Sequence, residues 1–256
     1  MFVDAHAHLD DPIIAPREEE ALAAAKAAGV GVIANASSDL ASSEASVALA
    51  ARRKEVYAVV GVHPHEAKTY SEEVEAGLKE LCKDKKVVAF GEIGLDYHYD
   101  LSPRDQQKQV LEREIRLAAE LSLPVVFHVR EAYEDFNAII ERNKKYLTRG
   151  VLLHCYSGSA ELAKYYVKHF DAYFSFGGAL TFAKHKDEVL AVIPKDRLLL
   201  ETDCPYMTPV PFRGTPNEPK NIPLVAAKMA ELKGLSAQEI ERVTTENALR
   251  FYSIKL

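Results

Sequence analysis

The chain has 256 residues, of which 48% are hydrophobic and 27% are charged, and its formal net charge is −6. This composition excludes a disordered chain, and the acidic balance argues against a wide contact with duplex DNA or an anionic membrane. The first residues lack a secretory signal, no apolar run reaches about 18 residues, and the three cysteines form no paired framework. We therefore expect a cytoplasmic protein with no membrane partner.

Short apolar runs alternate along the chain with segments of helical periodicity. Most of these runs are rich in β-branched or aromatic residues, as buried parallel strands are. In chain order the eight predicted strands are FVDAHAH (2–8), VGVIANA (30–36), VYAVVGVHP (56–64), VVAFGEIGLD (87–96), PVVFHV (124–129), GVLLHCYS (150–157), AYFSFGG (172–178) and RLLLETD (197–203).

Several of the intervening segments carry helix start or stop signals. The Ala-rich segment 18–28 closes on Gly29, which is typical of a helix C-terminus. Ser102 is the predicted N-cap of the helix after the fourth strand, with Pro103 in the first turn. Ser236 begins a capping box that opens the last helix.

Eight strands that alternate with helices predict parallel βα units. Eight such units close most naturally as a single (β/α)8 TIM-like barrel of the α/β class, and we expect one domain over residues 1–256. The segment 204–223 holds six prolines and is predicted to be a long loop after the eighth strand. Barrels often place substrate-binding groups in such a loop.

Polar side chains lie at or near the C-terminal ends of six predicted strands, where barrels of this type place function. Imidazole and carboxylate ligands suit Zn²⁺, Mn²⁺, Fe²⁺, Co²⁺ or Ni²⁺, with Mg²⁺ possible through the carboxylates. These residues exceed what one tetrahedral site uses, so the sequence predicts two divalent metal ions at the C-terminal rim of the strands. The potential ligands are His6, His8, His63, Glu92, His128, His154 and Asp203.

The motif series DAHAHLD, VGVHPH, GEIGLDY, PVVFHVR, LLHCYSG and ETDCPY, followed by PFRG and NEP, resembles that of the TatD-type metal-dependent hydrolases. These relatives of the amidohydrolase superfamily are commonly described as deoxyribonucleases. The resemblance extends from residue 2 to the C-terminal TTENALRFY. It implies a TIM-like barrel whose Glu92 is shared by both metal ions, and it implies that His63 contacts phosphate or supports the ligands. The full ligand set implied by the resemblance is His6, His8, Glu92, His128, His154 and Asp203.

The chain departs from the family pattern in one loop. That loop usually resembles RGKRNEP, whereas this sequence contains RGTPNEP, so Thr215 and Pro216 stand where basic residues are usual. The departure bears on how the substrate is held. The HxH motif of His6 and His8, which some members lack, is retained here and favours a complete two-metal site.

The predicted chemistry assigns further roles to single residues. Two ions bridged by Glu92 lower the pKa of a shared water to about 7, and Asp203 is the best candidate to accept its proton. Arg213 is either a bidentate phosphate ligand or a solvated loop residue. Glu218 either binds substrate or ties the loop down. Asp4 either hydrogen-bonds a ligand imidazole or is part of the strand-end structure.

Three functions are compatible with these residues. The leading hypothesis is a 3′-5′ exonuclease-type deoxyribonuclease that acts on DNA ends or short oligonucleotides and has no obligatory protein partner. The second is an amidase, lactonase or aminoacyl-ester deacylase on the same scaffold. Such enzymes often carry a modified lysine on the fourth strand, where this chain has Glu92, which disfavours that class. The third, a non-catalytic metal-binding module, is disfavoured because every ligand position is retained.

Overall fold

The structure is a computed structural model that describes residues 1–255. Within these residues it contains eight strands and nine α-helices that alternate along most of the chain. The strands are β1 (Phe2–Ala7), β2 (Val30–Ala36), β3 (Val56–Val60), β4 (Val87–Asp96), β5 (Val125–Arg130), β6 (Val151–Leu153), β7 (Tyr173–Phe176) and β8 (Leu198–Leu200). The helices are α1 (Glu18–Ala27), α2 (Leu40–Arg52), α3 (Glu72–Leu81), α4 (Arg104–Glu120), α5 (Tyr133–Arg142), α6 (Ala160–Phe170), α7 (Lys186–Val192), α8 (Ile222–Lys233) and α9 (Ala237–Phe251).

The eight strands belong to one sheet in which spatial order follows chain order. Neighbouring strands are parallel, as in the pairings of β1 with β2, of β4 with β5 and of β7 with β8. Sequential parallel strands linked by helices are the defining pattern of the (β/α)8 class. The predicted α/β, TIM-like barrel fold is therefore confirmed.

The chain can be divided into two compact units. The first comprises residues 1–35, 158–169 and 173 onwards, and the second comprises residues 36–157 and 170–172. Strands β1 and β8 lie in the first unit, whereas β3, β4, β5 and β6 lie in the second. The sequence-based assignment of one domain to residues 1–256 stays a prediction. No helix within residues 1–255 is long and apolar enough to cross a membrane.

The predicted strand bounds are correct for β2 and β4 and too long at the C-terminal end of several others. Strand β3 ends at Val60, and a 3₁₀-helix begins four residues later at Pro64, which has no N–H to donate to a ladder. Strand β8 ends at Leu200, and Asp203 has a φ of 56°, which is left-handed rather than extended backbone. His63 and Asp203 therefore lie on the turns that follow their strands.

The predicted N-cap of α4, Ser102, is wrong. Pro103 occupies the N-cap position, and no side chain caps the helix. The hydroxyl of Ser102 instead contacts the 3₁₀-helix that follows β3. It donates to the carbonyl of His65 at 2.7 Å and accepts from the amide of Lys68 at 3.1 Å. A serine before a proline predicts a cap by local pattern, but here a tertiary contact takes the hydroxyl.

Of two other helix signals, the first is confirmed and the second is confirmed in part. Helix α1 ends at Ala27, and Gly29 follows with a φ of 85°, which glycine adopts without a Cβ penalty. Ser236 caps α9 by accepting a hydrogen bond from the amide of Glu239, while the carboxylate of Glu239 pairs with Lys195 instead of forming the second half of the predicted capping box. The predicted loop 204–223 is shorter than expected, because a 3₁₀-helix begins at Pro219 and α8 at Ile222.

Candidate metal centres

The first unit contains one group of possible ligands, formed by His6, His8 and Asp203, whose ligand atoms lie within 4.8 Å of one another. The Nε2 atoms of His8 and His6 lie 3.3 Å and 4.0 Å from Oδ1 of Asp203. Backbone pairing holds the group together, since the amide of Asp203 donates to the carbonyl of His6 and the amide of His8 donates to the carbonyl of Cys204, each at 2.9 Å.

Asp4 lies under this group on the same strand as His6. Its carboxylate accepts from the amide and the hydroxyl of Thr202, at 2.9 Å and 2.5 Å, and from the backbone amide of His6 at 3.3 Å. Burial raises the pKa of Asp4 to about 8, against the opposing effect of these hydrogen bonds. These contacts join β1 to the segment after β8, which matches the strand-end alternative. The role of Asp4 toward a ligand imidazole stays a prediction.

The second unit contains a group centred on Glu92, in the middle of β4. Its Oε1 atom lies 2.6 Å from Nε2 of His154, 2.7 Å from Nδ1 of His128 and 3.5 Å from Nε2 of His63. Every residue of β4 is buried, so the carboxylate is held in an apolar strand and faces imidazoles on neighbouring elements. A buried carboxylate needs a cation or several donors to stay charged.

His63 was predicted to bind substrate or support the ligands, and the structure places it among the candidate ligands themselves. His63, Glu92 and His128 form a group whose ligand atoms lie within 4.8 Å of one another. Burial lowers the pKa of His63 to about 4, despite the neighbouring carboxylate of Glu92. A neutral imidazole is the form that binds a metal ion.

Sequence reasoning missed Asp96, the last residue of β4. Its Oδ2 atom lies 2.9 Å from Nε2 of His128 and 3.0 Å from Nε2 of His65. His128 is thus held from both ring nitrogens, by Asp96 on one side and Glu92 on the other. Burial lowers the pKa of His128, but the hydrogen bonds to Asp96 and Glu92 outweigh it and hold that pKa above its ordinary value.

A signal for Asp96 was present in the sequence. Asp96 follows Glu92 by four residues, so both lie on the same face of a strand with a side-chain period of two. Burial raises the pKa of Asp96, but His128 and backbone donors outweigh it and hold that pKa below its usual range. Carboxylates that accept from a ligand imidazole orient the ring and raise its basicity.

The charged residues of the loop after β8 contact other parts of the protein. The guanidinium of Arg213 stacks on the ring of Phe182 at 3.7 Å and donates to the carbonyl of Thr208 at 3.4 Å. Phosphate binding by Arg213 stays a prediction. Glu218 pairs with Arg17 at 2.5 Å and with Lys220 at 2.6 Å, so it ties the loop to the segment before α1.

The donor sets of both groups fit divalent metal ions. The first offers two imidazoles and a carboxylate, and the second offers imidazoles around a single carboxylate. Two histidines with one carboxylate is a common catalytic set for zinc and for non-haem iron, and it leaves open positions for water or substrate. Each unit therefore contains residues that can hold an ion by themselves.

Comparisons with known proteins agree on one protein family. The family model described as TatD related DNase matches residues 3–253 of this chain. The uncharacterized metal-dependent hydrolase YabD of Bacillus subtilis is 43% identical over 256 residues, covering 99% of this chain and 100% of that protein. The 3′-5′ ssDNA/RNA exonuclease TatD of Cronobacter sakazakii is 35% identical over 241 residues, covering 91% of each chain. Among solved structures, the TatD homologue YJJV of Escherichia coli K12 superposes with a TM-score of 0.93 at 32% identity, covering 99% of this chain and 98% of that one.

Proposed function

Because this chain belongs to the TatD related DNase family, we propose that it is a 3′-5′ exonuclease that removes nucleotides from the ends of unpaired DNA with two divalent ions. As a member of this family the chain is a metal-dependent hydrolase. The 3′-5′ polarity and the single-stranded substrate are supported by the relative from Cronobacter sakazakii, which is named a 3′-5′ ssDNA/RNA exonuclease. A cytoplasmic location stays a prediction.

The observation that supports this proposal most strongly is the carboxylate of Glu92, which faces the ring nitrogens of three histidines at 2.6 to 3.5 Å. Divalent ions held by these residues would lower the pKa of a bound water to about 7 and would stabilise charge on the phosphoryl oxygens. His6, His8 and Asp203 would hold one ion, and Glu92 with His128 and His154 would hold the other.

The residues of the chain have separate roles in this proposal. Asp203 accepts the proton of the attacking water, because its carboxylate lies beside His8 and is partly open to solvent. His63, kept neutral by burial, either completes the ligand set around Glu92 or donates to a phosphate oxygen. Asp96 holds the ring of His128 in one orientation.

The competing function is a metal-dependent amidase, lactonase or deacylase. An experiment separates the two functions with four substrates supplied to metal-loaded protein. These are a labelled single strand with a free 3′ end, the same strand blocked at that end, a closed circular single strand and an acyl ester. We expect cleavage of the free-ended strand, slower cleavage of the blocked one and an intact circle.

Two results contradict the proposal. Cleavage of the circle at the rate of the free-ended strand means endonuclease action. Turnover of the ester with all three strands left intact assigns the chain to the acyl hydrolases. A variant with Glu92→Gln is the matched control, since it must lose whichever activity belongs to the metal centre.

A further inference from the structure

A cavity of about 520 Å³ lies between the segment before α1 and the loop after β8. Its lining includes Ile13, Arg17, Phe212, Pro216, Glu218 and Lys220. A volume of this size suits a small ligand such as one nucleotide. All of these residues belong to the first unit, together with His6, His8 and Asp203.

The charges of the cavity favour an anion. Glu218 is buried and pairs with both Arg17 and Lys220, so two cations face one carboxylate. Burial raises the pKa of Glu218, but the hydrogen bonds from Lys220 and Arg17 outweigh it and hold the carboxylate ionised. The side chains of Arg17 and Lys220 are 37% and 47% exposed, whereas that of Glu218 is 9% exposed. The cationic groups are thus the ones that solvent and ligands meet.

The same cavity presents apolar surface. Ile13 and Phe212 are large side chains that are 49% and 50% exposed. An exposed ring beside cations is the combination that binds unpaired nucleic acid, because bases stack on aromatic rings while phosphates pair with Lys and Arg.

Tyr206 links the first candidate metal centre to the segment that lines the cavity. Its ring lies 6.0 Å from the ring of His8, and its hydroxyl donates to Asp11 at 2.8 Å. Asp11 in turn accepts from the amide of Ile13, at the cavity. These contacts connect His8 with Ile13 of the cavity through Tyr206 and Asp11.

These contacts bear on the unusual loop sequence. Thr215 and Pro216 line the cavity, and they stand where the corresponding loop of the TatD-type hydrolases usually has basic residues. Arg17, far away in the chain, and Lys220 bring positive charge to the same place. We propose that this cavity binds one nucleotide of an unpaired strand, with its phosphate on Arg17 and Lys220 and its base against Phe212. The proposal rests on the proposed exonuclease function and adds a binding position beyond the hydrolysed bond.

The chain contains no tryptophan, which permits a direct test. The variant Phe212→Trp places a single tryptophan in the cavity. Metal-loaded protein is titrated with a short phosphorothioate oligothymidylate, which resists hydrolysis, and separately with thymidine monophosphate and inorganic phosphate. We expect saturable quenching by the oligonucleotide and weaker binding of the two small ligands.

Charge variants make the test specific. In the same background, Lys220→Gln should weaken oligonucleotide binding about three- to tenfold and reduce the slope of log K against log salt by about 0.7, the value for one phosphate contact on a single strand. The matched control is Lys228→Gln, which removes the same charge from a partly exposed position of α8 paired with Glu231. Pro216→Arg should tighten binding.

If Phe212→Trp does not fold, anisotropy of a labelled oligonucleotide on the otherwise unchanged chain gives the same comparison of Lys220→Gln with Lys228→Gln. Equal effects of those two variants overturn the assignment. Quenching by thymidine monophosphate as strong as that by the oligonucleotide overturns the strand as the occupant. If the protein hydrolyses strand ends but shows neither the quenching nor the weaker binding of Lys220→Gln, the exonuclease proposal stands and the cavity proposal is wrong. The two proposals can therefore fail separately.

Discussion

Asp96 and Glu92 contact opposite nitrogens of the His128 ring. Oδ2 of Asp96 lies 2.9 Å from Nε2 of His128, and Oε1 of Glu92 lies 2.7 Å from Nδ1 of His128. The other carboxylate oxygen of Asp96, Oδ1, accepts from the amides of His98 and Tyr99, each at 2.9 Å. The carboxylate therefore both closes the turn after β4 and sets which nitrogen of His128 points toward Glu92.

The first prediction follows from this contact. Asp96→Asn keeps the shape and the turn but replaces the charged acceptor, so we expect metal affinity to fall about 10- to 100-fold while the fold is retained. Calorimetric titration of metal into chelator-treated protein measures the change. Asp100→Asn, at an exposed carboxylate paired with Arg104, is the control. Unchanged affinity in Asp96→Asn would assign this residue to the turn alone.

The second prediction concerns the number of ions. Because each unit contains its own group of ligands, saturated protein should bind about two divalent ions per chain. His8→Ala and His128→Ala should each reduce the number to about one. Elemental analysis of desalted, metal-saturated protein gives the count. Loss of both ions from either single variant would show that the groups are not independent.

The third prediction concerns the charge of Glu92. Glu92→Gln keeps the side-chain volume but removes the negative charge that faces three histidines. We expect turnover to fall at least about 100-fold, with an unchanged circular dichroism spectrum. Glu131→Gln, at an exposed glutamate paired with His98, should retain full activity. Near wild-type turnover and metal content in Glu92→Gln would mean that Glu92 is structural.

The fourth prediction concerns stability against pH and uses Glu114 of α4. Burial raises the pKa of its carboxyl well above the ordinary value, although the amide of Val62 donates to it at 2.8 Å. The folded chain therefore keeps a proton that the unfolded chain releases above about pH 4.3. This group's stabilisation is complete below that pH and is lost as pH rises toward the folded pKa, by up to about 1.4 kcal/mol per pH unit.

Glu114→Gln cannot titrate, so it should lose less free energy of unfolding than the wild type between pH 5 and pH 7. Urea unfolding at several pH values gives both slopes. Glu231→Gln, at an exposed glutamate paired with Lys228, should follow the wild-type slope. Parallel curves for Glu114→Gln and the wild type would place an ionised carboxylate in the core.

The sequence by itself determined the fold class and most of the candidate ligands. Strand and helix periods are local properties, since side chains repeat every two residues in a strand and about every 3.6 in a helix. They therefore located β1, β2 and β4 and placed His6 and Glu92 on them. Parallel strands in chain order then brought the polar residues to strand ends, as the alternation predicted.

Only the tertiary structure decided which side chains meet. The contact of Ser102 with His65 joins residues 37 positions apart in the chain, and that of Asp96 with His128 joins residues 32 apart. The pairing of Arg17 with Glu218 joins residues 201 apart. No local period encodes such contacts, because they arise when packed elements bring distant loops within hydrogen-bond reach. Tertiary structure also decided where β3 and β8 end. Periodicity predicted that His63 and Asp203 lie on these strands, but both residues lie beyond the strand ends.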